Sequence, residues 1–74
     1  LIAIGRHPDS VLRIRDFEAR GMFYLKAVRE KGVIRIKISH DEGLEIFFKN
    51  KESDGYVNNG DIFAVSNYSF RYNA

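Results

Sequence analysis

Apolar and polar residues take turns through most of this chain. Ile34, Ile36 and Ile38 fall on one side of an extended backbone, with Arg35 and Lys37 on the other. Leu44, Ile46 and Phe48 repeat the pattern against Glu45 and Lys49, and Leu12 and Ile14 repeat it against Arg13 and Arg15. A period of two marks strands with one buried and one wet face. Ile62 and Ala64 belong to a run that breaks at Ser66-Asn67 and resumes as Tyr68, Phe70 and Tyr72, which predicts a closing hairpin. Four glycines, Gly21, Gly32, Gly43 and Gly60, sit in short polar groups and predict turns of three to five residues closing on a left-handed glycine. Strands are expected near residues 1–4, 11–17, 22–28, 33–39, 44–49, 61–65 and 68–72, with 50–60, polar apart from Tyr56 and Val57, as the longest loop.

A helix from Ser10 to the stop at Gly32 is the rival reading, because Ile14, Phe17, Gly21, Tyr24 and Val28 also lie at helical spacing. Gly21 in mid-segment costs such a helix about 1 kcal/mol relative to alanine, and the β-branched and aromatic residues around it favour strand. The expected fold is therefore all-β, an antiparallel β-sandwich with short hairpin turns and little or no helix. Seventy-four residues hold one hydrophobic core, so residues 1–74 are expected to form a single domain, trimmed from a longer protein or standing as part of one.

Lys and Arg total 12 against 10 Asp and Glu, a net charge of +2 with the signs interleaved. The absence of cysteine excludes a disulfide framework, Cys-ligated zinc and a thiol nucleophile. Apolar runs such as Met22 to Leu25 are far shorter than the roughly 20 residues of a membrane-spanning helix, and no leader pattern opens the chain. No membrane insertion is expected, and an intracellular location, cytoplasmic or nuclear, fits.

The residues offer three chemistries. His7 and Asp9 flank the single proline, and His40 precedes Asp41 and Glu42, but neighbours on a strand project to opposite faces and there is no third histidine; these read as turn residues, with no metal site and no cofactor. Ser10, Ser39, Ser53, Ser66 and Ser69 lie outside any Gly-x-Ser-x-Gly elbow, and no carboxylate pair is placed for acid and base work, so no enzyme is expected. Arg13, Arg15, Lys26, Arg35 and Lys37 near Phe23, Tyr24, Phe47 and Phe63 keep an alternative open, a small basic β-barrel stacking single-stranded nucleic acid.

Ile2-Ala3-Ile4-Gly5-Arg6, a polar loop and Leu12-x-Ile14-x-Asp16 together resemble the opening of a forkhead-associated (FHA) domain. Gly60-Asp61-Ile62-Phe63-Ala64-Val65 followed by Tyr68-Ser69-Phe70-Arg71-Tyr72 is similar to that family's closing Gly-Asp hairpin, and Ser53-Asp54-Gly55-Tyr56-Val57-Asn58 resembles its Ser-x-Asn-Gly-Thr-x-Val-Asn stretch in shortened form. The resemblance implies a β-sandwich whose loop end binds a protein partner, in most members a phosphothreonine peptide. It places Arg6 on the phosphate or the adjoining peptide backbone, Arg20 on the arginine of the Ser-Arg-x-His segment, Asn58 on the backbone-holding asparagine, and Asp54 in the Asn-Gly turn. Ala19 stands where the family has its phosphate-binding serine and Met22 where it has the buttressing histidine. Two expectations follow: a pocket that still reads phosphothreonine, or a degenerate module that binds a partner through surface shape.

Overall fold

The computed structural model describes all 74 residues. It contains eight strands and no helix: β1 (Ile2–Gly5), β2 (Leu12–Arg13), β3 (Phe23–Glu30), β4 (Val33–His40), β5 (Ile46–Phe48), β6 (Tyr56–Val57), β7 (Ile62–Val65) and β8 (Tyr68–Arg71). They form a five-stranded sheet in the order β2-β1-β3-β4-β6 and a three-stranded sheet in the order β5-β7-β8. The all-β architecture and its two layers agree with the alternation in the sequence, and the helical reading of 10–32 is excluded by β3 alone. No helix is long and apolar enough to cross a membrane.

The layers meet through aromatic rings. Phe23 of β3, fully buried, lies 5.9 Å from Phe63 of β7 and 5.1 Å from Phe70 of β8, both edge to face. Edge-to-face packing sets the positive rim of one ring against the negative face of another, which adds to the burial of its area. Ile4, Phe17, Ile38, Leu44, Val57 and Val65 complete the buried core. Paired residues of β3 and β4 share a face, so Leu25 with Ile38, Ala27 with Ile36 and Arg29 with Ile34 form the inner row. Burial fades along that row: Ile38 is 7 % exposed, Ile34 63 %. β3 and β4 run eight residues each, whereas β7 and β8 run four, so the hairpin reaches past the second layer.

Four expectations change. Residues 50–60 are not one loop, because Tyr56 and Val57 form β6 on the edge of β4, pairing with Lys37 and Ile36. The expected strand over 11–17 shrinks to Leu12–Arg13, and it pairs parallel to β1, Ile4 with Leu12 and Gly5 with Arg13, so the sandwich is not wholly antiparallel. The turn at Gly32 is a two-residue loop in which Lys31 (φ 51°) and Gly32 (φ 77°) are both left-handed. Those angles match the hairpin type whose twist suits the flanking strands. Gly21 is not left-handed at all; its place is a close approach, where an added Cβ would lie 3.1 Å from the Asp41 Cβ.

Candidate functional site: an arginine-lined cleft

Arg6 leaves the end of β1, Arg13 ends β2, and Arg20 precedes the start of β3. Together with His7 and Pro8 they line one open cleft of about 430 Å³. The parallel pairing of Gly5 with Arg13 brings the second arginine beside the first. The Ile14 amide donates to the Gly5 carbonyl (2.8 Å), and Arg13 Nε donates to the Arg6 carbonyl (3.3 Å).

The loop from 6 to 11 folds on itself. The Ser10 amide donates to the His7 carbonyl (3.0 Å), and the Asp9 amide donates to His7 Nδ1 (3.1 Å). With Nδ1 accepting, the proton of the neutral ring sits on Nε2. Ser10 is buried, and its hydroxyl donates to the Met22 sulfur at 3.1 Å. Met22 thus braces the loop.

The segment carrying Arg20 is held at both ends. On one side, Ala19 N–H donates to Ser66 Oγ (3.0 Å) and Glu18 N–H to Asn67 Oδ1 (2.9 Å), while Asn67 Nδ2 donates to the Asp16 carbonyl (3.0 Å). Tyr68 adds a hydroxyl bond to the Asp16 carboxylate, which raises the Tyr68 pKa. On the other side, Met22 N–H donates to Asp41 Oδ2 (2.8 Å) and the Tyr24 hydroxyl to Oδ1 (2.7 Å). The Met22 amide first, then the Tyr24 hydroxyl, hold the Asp41 carboxyl below the usual aspartate range, since both favour its charged form.

None of the seven arginines in the chain forms an ion pair; the Lys–carboxylate salt bridges are those of Lys51 with Asp54 and Asp61. No carboxylate lines the arginine cleft. No group of three or more His, Asp or Glu side chains is placed to hold a metal ion.

The structure brings Arg6 and Arg20 together but leaves Asp54 and Asn58 elsewhere. Asp54 accepts from the Tyr56 amide (3.1 Å) and from Lys51 Nζ (3.3 Å), which lower its pKa. Asn58 follows Val57, whose partner is Ile36, and lines a separate groove with Val33 and Ile34. That groove lies toward the start of β4, whereas Asp41 and Met22 adjoin its end.

Arg13, His7 and Asp41 are the additional residues of this region. All three stand out by residue type in the sequence, yet what joins Arg13 to Arg6 is a parallel strand pairing that no local pattern announces. The aromatics assembled for nucleic-acid stacking disperse: Phe23 and Phe63 are core residues, Tyr24 is bound to Asp41, and exposed Phe47 lies on the other sheet. No protein-family model matches the chain, and no curated protein or solved structure matches it either.

Proposed function

We propose that this domain is a non-enzymatic protein-interaction module of FHA type that captures a phosphothreonine-bearing segment of a partner in the cleft of Arg6, Arg13 and Arg20. The observation that carries this reading is that three arginines line one cleft and no carboxylate lines it with them. Like charges held together repel, and a ligand of opposite sign relieves that repulsion while gaining forked hydrogen bonds. A phosphate monoester carries about −1.5 to −2 at neutral pH and offers three terminal oxygens as strong acceptors. Arginine keeps its charge throughout the physiological range and matches those oxygens in plane.

No hydroxyl side chain lines the cleft, and Ala19 faces a separate pocket with Leu44, Phe47 and Ser66. A hydrogen bond to a charged group is worth about 1.5 to 3 kcal/mol, so a cleft without a hydroxyl donor binds roughly ten- to a hundred-fold more weakly than one that has it. The serines near it are committed to structure, Ser10 on Met22 and Ser66 on Ala19, which supports binding and not catalysis as the task of this end.

NMR titration with a phosphothreonine peptide library and its unphosphorylated twin tests the reading. The expected result is shifts at the Arg6, Arg13 and Arg20 amides with the phosphorylated library only. Equal response to both, or none, overturns phosphate reading in favour of a module that recognises shape. Binding to DNA or RNA with a steep loss of affinity in salt would replace the proposal with the nucleic-acid alternative.

A further inference from the structure

We infer that Arg13 is a third anion-binding residue of this cleft, held by its bond to Arg6 and supplying donors where no hydroxyl lines the wall; the inference rests on the phosphothreonine reading above. The sequence pattern that resembles the family leaves position 13 open, since it is the variable residue between Leu12 and Ile14.

Two features of the fold assign the role. The parallel register places Arg13 opposite Gly5, one residue from Arg6, and on the wall of the same cleft as Arg20. Its Nε donates to the Arg6 carbonyl at 3.3 Å, which orients the guanidinium while both terminal nitrogens stay free of any protein acceptor. An arginine tethered in this way has lost part of its freedom before a ligand arrives, so less entropy is spent on binding. Arg6 and Arg20 present two forks to a group with three terminal oxygens. No hydroxyl lines the cleft, and Arg13 supplies donors for the remaining oxygen. His7, with its proton on Nε2, closes the same wall.

The test compares Arg13→Gln, Arg13→Lys, Arg6→Ala and Arg71→Gln by calorimetry against the best phosphothreonine peptide of the library and its unphosphorylated form. Arg71 lies on β8, outside the cleft, and removes the same charge. Expected is a loss of about ten-fold or more for Arg13→Gln toward the phosphopeptide only, a smaller loss for Arg13→Lys because an ammonium lacks the fork, and a change within about two-fold for Arg71→Gln. If Arg6→Ala abolishes binding while Arg13→Gln behaves like Arg71→Gln, the role of Arg13 is wrong and the phosphothreonine reading survives. If Arg13→Gln weakens both peptides equally, its effect is general charge and the inference fails. If wild-type protein binds neither peptide, both claims fall together. The Arg13 Nε–H resonance of the wild-type protein gives a readout that needs no variant: it must move on phosphopeptide addition, and a static signal overturns the assignment.

Discussion

Asp61 is the one charged residue that is buried, at 7 % exposure, and it is also the best supported. Its carboxylate accepts from Lys51 Nζ (2.8 Å) and from the Asn58 amide (2.8 Å), and these two bonds, in that order of weight, draw its pKa below the ordinary value. Burial opposes the charge of Lys51, but its bonds to Asp61 and Asp54 outweigh that, so its pKa rises on balance. Asp61→Asn removes the ion pair and should cost about 1.5 to 3 kcal/mol. For a domain of this size that is a fall in melting temperature of roughly 6 to 24 °C, measurable by calorimetry. A depressed carboxyl stabilises the folded state above its unfolded pKa of about 3.9 and stops doing so as pH falls through the lower folded value. Asp41, Asp54 and Asp61 all shift in that direction. Stability against urea should therefore hold above about pH 5 and decline below about pH 4, less steeply in Asp61→Asn than in the wild type.

Among the elements, the β3–β4 hairpin offers a prediction of opposite sign. Lys31 occupies a left-handed position (φ 51°) at the tip, where a side chain with a Cβ is crowded and asparagine is better tolerated. Lys31→Asn should stabilise the domain by about 0.5 kcal/mol, seen as a higher urea midpoint with an unchanged slope. The strands themselves could be read from alternation because each carries its period within a few residues. β6 could not, since Tyr56-Val57 is a two-residue apolar island whose strand character comes from β4 beside it, with Arg35 over the Tyr56 ring at 3.7 Å and Glu30 on its hydroxyl. β2 is shorter than its alternation suggests for the converse reason. Leu12 and Ile14 alternate well, but after Arg13 the chain turns inward to bury Phe17, and the Phe17 amide closes a turn on the Ile14 carbonyl. For the cleft, the motif resemblance names Arg6 from its Gly-Arg pair and Arg20 from its place in the Ser-Arg-x-His segment. It could not supply Arg13, whose neighbourhood depends on which strands pair and in which direction.

Across the whole molecule, the cleft depends on residues far from it in sequence. Ser66 and Asn67, in the turn joining β7 to β8, hold the backbone of Asp16, Glu18 and Ala19. Ser66 itself takes a left-handed conformation (φ 56°), and its hydroxyl donates to Asn67 Oδ1, which ties the two clamp residues to each other. Asn67→Ala should leave the two sheets intact, lower stability by about 1 kcal/mol or less per exposed bond lost, and speed amide hydrogen exchange at Glu18. It should also weaken phosphopeptide binding although Asn67 does not line the cleft; exchange rates at Glu18 equal to wild type would show that the clamp does not restrain this loop. The same clamp has a bearing on biosynthesis. A ribosome that has released residues 1–65 has already presented every arginine of the cleft, yet the turn that restrains the Arg20 loop is still unmade. On the phosphopeptide reading proposed above, the emerging chain would hold its ligand firmly only once the β7–β8 hairpin has closed.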